Sequence, residues 1–113
     1  MRDHSIYLRD ILSNIEHAEK FTANLSFDEF VENYQVNYAV VRCLEIIGEA
    51  CKQIPQTIRN KYPEIPWRRI IGTRNVIVHE YAAVDLEIIW GTVKNDLPVL
   101  KNQIQQIITD LTK

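Results

Sequence analysis

Long apolar runs are missing from this 113-residue sequence: none approaches the roughly 20 residues that a membrane-spanning helix needs, and Met1-Arg2-Asp3-His4 leads straight into charged sequence. A soluble, cytoplasmic protein is the expectation. Low-complexity tracts are absent as well, so residues 1–113 are expected to form one domain around one continuous core. Cysteine is scarce. Cys43 and Cys51 fall on one predicted helix, where eight residues at about 1.5 Å each leave them roughly 12 Å apart, too far for a disulfide. They read as small core residues in a reducing compartment. The three histidines, His4, His17 and His79, share no ligand spacing with each other or with the cysteines, which argues against a zinc site. No stretch alternates as a strand would.

An excess of positive charge is also lacking. The net charge of −2 argues against a protein that coats nucleic acid, but the charge is uneven. Residues 1–58 carry −4 and residues 75–113 carry −2, whereas residues 59–74 carry +4, from Arg59, Lys61, Arg68, Arg69 and Arg74 against Glu64. This single basic island describes a solvated charged face, or a place for an anionic substrate.

What is present is helical periodicity. From about Asp3 to Ala23, Leu8, Ile11, Leu12, Ile15, Ala18 and Phe21 recur at three- and four-residue steps, predicting an amphipathic helix. Ser26 and Glu29 form a capping box, with Leu25 and Phe30 at the staple positions, so a short second helix starts at Phe27. A third helix of about twenty residues runs from Tyr34 to Ile54, striped by Val36, Val40, Cys43, Leu44, Ile47, Cys51 and Ile54 and ended by Pro55. Gly48 inside it suggests a close helix neighbour, and Arg42, Glu45 and Glu49 read as surface or interface ion pairs.

A connector punctuated by Pro55, Pro63 and Pro66 has room for one helical turn around Thr57 to Asn60. Pro66 suits the first position of a fourth helix, which carries Trp67, Ile70, Ile71, Val76, Ile77 and Val78. Asp85 is a good N-cap for the last helix, whose Leu86, Trp90, Val93, Leu97, Leu100, Ile104, Ile107 and Leu111 alternate steps of four and three. Pro98 should kink or break it near Lys94 to Leu97. Trp67 and Trp90 read as core anchors. The predicted fold is an all-α, up-and-down bundle of four principal helices with short additional turns.

Chemistry concentrates in Gly72 to Tyr81, G-T-R-N-V-I-V-H-E-Y. Asn75 and His79, four apart, share a helix face, and the long stem of Arg74 can return its guanidinium toward the imidazole. A guanidinium clamps phosphate oxygens and an imidazole moves protons, which are the needs of phosphodiester cleavage by an RNA 2′-hydroxyl. His79 would be the general base or acid, Arg74 would stabilise the phosphorane, and Asn75 would orient either group. Neither metal nor cofactor is called for. One histidine cannot easily serve both proton transfers, so a two-fold dimer with two Arg74–His79 pairs across one cleft is expected. Spacing alone also describes a surface arginine beside a partly buried, hydrogen-bonded histidine, with Tyr81 a capping aromatic.

Arg74-Asn75-x3-His79-x-Tyr81 resembles the R-x4-6-H motif of HEPN-domain proteins, and its H-x-Y ending resembles the HepT branch, the toxins of HepT–MNT pairs. The resemblance extends to Ile47-Gly48-Glu49-Ala50, Ile65-Pro66-Trp67-Arg68, Val84-Asp85-Leu86 and Asn95-Asp96-Leu97-Pro98, nearly the whole chain. It implies a small all-α homodimer with metal-independent endoribonuclease activity, in which Arg74 and His79 are the catalytic pair and Asn75 assists. Arg59, Lys61, Arg68 and Arg69 would then bind RNA. It also implies a minimal nucleotidyltransferase antitoxin that adenylylates Tyr81. Two other readings stay open: a helical module that binds a nucleotide or the nucleotidyltransferase without cutting RNA, and a bundle used only for assembly.

Overall fold

A computed structural model describes residues 4–79 and 85–112, the side chains of residues 74–79 excepted. Every regular element among them is helical. Four principal helices, α1 (Ser5–Thr22), α3 (Tyr34–Gln53), α5 (Trp67–His79) and α7 (Leu97–Leu111), are joined by the short α2 (Phe27–Glu32), α4 (Gln56–Lys61) and α6 (Leu86–Gly91). A π-helical turn, Thr92–Asp96, links α6 to α7. The result is the expected all-α bundle, and no helix among the described residues is long and apolar enough to cross a membrane.

Local signals fix most of the boundaries. Ser26 Oγ accepts from the Glu29 N–H at 3.1 Å and the Glu29 carboxylate accepts from the Ser26 N–H at 2.9 Å, so both halves of the capping box start α2. Asn33 caps α3 by accepting from the Val36 N–H at 3.1 Å. Buried Asn37 then donates to the carbonyls of Phe30 and Val31 at 3.2 and 3.3 Å, tying α2 to α3. The turn expected near Thr57 to Asn60 is α4. Pro66 stands one residue outside α5 and its carbonyl accepts the Ile70 N–H at 3.0 Å, so it opens the helix from the capping position, not the first helical one.

The core is a single cluster in which α3 packs between α1 and α5, while α1 also meets α7. Leu8, Ile11, Ile15, Phe30, Val40, Ile47, Ile104 and Ile107 are almost wholly shielded from water. Two expectations for the stripe ends are corrected. Phe21 is 42% exposed and stacks on His17, while Thr22 turns inward in its place. A helix brings residue i+4 back over residue i, so position 22 follows Ala18 inward. The Thr22 hydroxyl is satisfied there by donating to the Ala18 carbonyl at 3.0 Å. Leu111, 48% exposed, likewise lies beyond the core at the end of α7.

The last helix breaks as Pro98 requires. With no N–H at 98 and a ring that clashes with the carbonyl four residues earlier, the ladder widens into the π turn before α7 resumes. Lys94 in this turn donates to the Thr22 carbonyl at 3.1 Å and lies 4.8 Å from the centre of the Trp90 ring, which packs on Phe30. Trp90 is half-buried against the core; Trp67 is inside it.

Cys43 and Cys51 are both free and buried. Burial pushes both thiols up, that of Cys51 to about 12. Neither cysteine of the native protein should therefore react with iodoacetamide at pH 8, and both should react once denaturant unfolds the chain. The same burial means that unfolding at alkaline pH releases a proton, so stability falls as pH rises from 9.0 toward about 12. Rapid alkylation of either thiol in the folded protein would contradict this packing.

Candidate functional site

Helix α5 carries the candidate residues Arg74, Asn75 and His79, and its start is pinned firmly. Ile65 and Trp67 are buried, and Trp67 Nε1 donates to the Tyr62 carbonyl at 3.1 Å. Tyr62 is itself held across the molecule: its hydroxyl donates to Asp110 of α7 at 2.7 Å, and that hydrogen bond above all raises the phenol to about 12. The connector is thereby tied both to α5 and to α7. From this anchor α5 runs along α3.

Two depressions flank the helix, and consecutive residues divide between them because each step turns about 100°. On one side Arg68, Ile71 and Gly72 border an open groove of about 730 Å³ shared with Arg59 and Asn60 of α4. Arg59 Nε donates to the Ile54 carbonyl at 3.0 Å, satisfying a carbonyl at the end of α3 with one of five guanidinium donors. On the other side Arg69, Ile70 and Thr73 border a cleft of about 490 Å³. Leu44 and Ile47 of α3 and Asp96 of the π turn also line it. There Arg69 faces Asp96 at 3.7 Å, an exposed pair. Ile88 and Val99, 63% and 58% exposed, form the apolar rim of this cleft.

The basic island predicted from the sequence is therefore divided. Arg59 and Arg68 share one groove, Arg69 belongs to the other cleft with a carboxylate partner, and Lys61 is exposed in the last turn of α4 and lines neither. Arg74, Asn75 and His79 all lie on α5, with their side chains outside the described residues, and Tyr81 lies outside them altogether. Helical register places Arg68, Gly72, Asn75 and His79 at steps of four, three and four along one face. That alignment was readable from the spacing, whereas the Arg69–Asp96 pair, joining distant parts of the chain, had no sequence signal.

Residues 11–107 match the family described as Ribonuclease HepT-like. A Methanocaldococcus jannaschii protein provisionally named an RNase is 44% identical over 110 residues, covering 97% of this chain and 95% of its own. A second protein from that organism, also provisionally named an RNase, is 44% identical, with 97% of this chain and 91% of its own covered. A Thermococcus cleftensis protein provisionally named ribonuclease HepT is 42% identical over 106 residues, which are 94% of this chain and 96% of its own. No solved structure gives a significant match.

Proposed function

Because this chain belongs to the HepT-like ribonuclease family, we propose that it is the toxin of a toxin–antitoxin pair, a homodimeric, metal-independent endoribonuclease acting on cellular RNA. The observation that carries the reading is the family match over residues 11–107, within which Arg74-Asn75-x3-His79-x-Tyr81 falls.

In the reaction, His79 takes the proton of the RNA 2′-hydroxyl as its oxygen attacks the adjacent phosphorus. Arg74 stabilises the added negative charge on the phosphorane. The bond to the 5′-oxygen then breaks, and the leaving oxygen receives a proton from a second imidazole, supplied by the His79 of another copy. The products are a 2′,3′-cyclic phosphate and a free 5′-hydroxyl. Asn75, four residues before His79 on the same helix, orients the imidazole or the phosphate. The exposed Ile88 and Val99 beside α5 favour the two-fold arrangement, since a second copy would remove apolar surface from water.

Control falls to Tyr81. A minimal nucleotidyltransferase encoded with the toxin transfers an adenylyl group from ATP to the phenol: the phenolic oxygen attacks the α-phosphorus and pyrophosphate leaves. The added phosphodiester, close in sequence to Arg74, competes for the guanidinium that the substrate phosphate requires.

Expression of the chain alone should arrest growth, and the purified protein should degrade total RNA in excess EDTA. Absence of both effects would sink the nuclease reading and leave a partner-binding module.

A further inference from the structure

We propose that the groove between α4 and the first turns of α5 is a phosphate-binding subsite for the single-stranded RNA that flanks the scissile bond, held by Arg68 and Arg59, and that Arg69 has no part in it. The proposal rests on the RNA-cleaving reading and divides the basic island by function. Three observations meet there. Among the described residues that line the groove, Arg59 and Arg68 are its charged groups, the amides of Gln56 and Asn60 lie beside them, and no carboxylate is present. A guanidinium pair flanked by amides suits phosphate oxygens, which accept paired N–H donors.

The groove also leads to the reacting residues. Arg68, Gly72, Asn75 and His79 follow one another along a single face of α5, and the eleven steps from Arg68 to His79 span about 16 Å of helix. A strand lying along this face would present several phosphates. Between its two ends stands Gly72, where an added Cβ would meet nothing within 4 Å among the described residues. Glycine inside a helix costs about 1 kcal/mol relative to alanine, and no close neighbour among the described residues demands it. What glycine does provide is an unobstructed helix surface on the path of the strand.

Arg69, by contrast, is turned into the opposite cleft and faces Asp96, whose carboxylate offsets its charge and would repel a phosphate. Of the island's described side chains, Arg59 and Arg68 form one pair on the proposed RNA path, Arg69 lies beside a carboxylate, and Lys61 borders neither depression.

The test uses a labelled 2′-O-methyl oligouridylate, which cannot be cut, titrated against the full-length protein by fluorescence anisotropy. Arg68→Glu should weaken binding by about tenfold or more and flatten the salt dependence by about 0.7 in the log–log slope for each phosphate that is no longer neutralised. Gly72→Leu, which obstructs the path without changing charge, should also weaken binding. Arg69→Glu should change it by less than about twofold. Equal weakening by Arg68→Glu and Arg69→Glu would overturn the proposal, as would unaltered binding by Gly72→Leu with a native circular dichroism spectrum. If the wild type binds with this pattern yet cuts nothing, the groove stands and the nuclease reading fails. If it cuts RNA while Arg68→Glu binds normally, the groove fails alone.

Discussion

His79→Ala is expected to lower the rate of RNA cleavage by about 10²- to 10⁴-fold, the range that a positioned general acid or base contributes. Arg74→Ala should cost about 10²- to 10³-fold, comparable with removing one preorganised donor from a site where negative charge develops. The His79→Ala loss should fall mainly on kcat, because the proton moves only in the transition state, whereas Arg74→Ala should also raise KM, because the phosphodiester is anionic already in the ground state. Thermal unfolding measured on the same variants separates a loss of chemistry from a loss of fold. His79→Ala also tests the shared cleft. Unfolded and refolded together with the wild type, it forms heterodimers that hold one His79 only. If each cleavage needs both imidazoles, those heterodimers are inactive and activity per wild-type chain falls as the variant is added. Activity per wild-type chain that stays constant would return both proton transfers to a single subunit.

Adenylylation of Tyr81 is expected to suppress cleavage by about 10²-fold, the cost of denying the substrate phosphate its cationic donor. Incubation with the partner nucleotidyltransferase and ATP should add one adenylyl mass to the wild type and none to Tyr81→Phe, read by intact-mass spectrometry. The phenylalanine variant keeps the aromatic ring and loses only the nucleophilic oxygen. It should therefore remain active before and after the incubation. A modified protein that still cuts RNA at the wild-type rate would remove Tyr81 from control, and a modified Tyr81→Phe would move the acceptor elsewhere.

Much of the scaffold was legible in the sequence because its signals act over one helical turn. The Ser26–Glu29 capping box, the Asp85 cap and the break before Pro98 each depend on groups fewer than five residues apart. Stripe ends were less legible. Hydropathy favours Phe21 as the inward residue of α1, but register brings Thr22 over Ala18, and a local hydrogen bond makes the hydroxyl tolerable there. Leu111 fits the repeat of α7, yet a repeat does not reveal where neighbouring helices stop.

At the candidate site, spacing alone predicts that Asn75 and His79 share a face of α5. Linear charge density does not predict that Arg68 and Arg69, adjacent in sequence, serve different depressions. That division depends on the rotation of α5 against α3 and on Asp96 arriving from the far side of the chain. Long-range placement of this kind is set by packing, not by any local pattern.

The central claim is that this chain cleaves RNA through the substrate's own 2′-hydroxyl without a metal. The most direct measurement is the initial rate on one labelled oligoribonucleotide in excess EDTA, set beside the same oligomer carrying a 2′-deoxy sugar at the mapped cleavage position. Cleavage of the first to a 2′,3′-cyclic phosphate, with the second left intact at that position, is the predicted result. Cutting of the deoxy position, or activity that appears only when a divalent cation is restored, would contradict it.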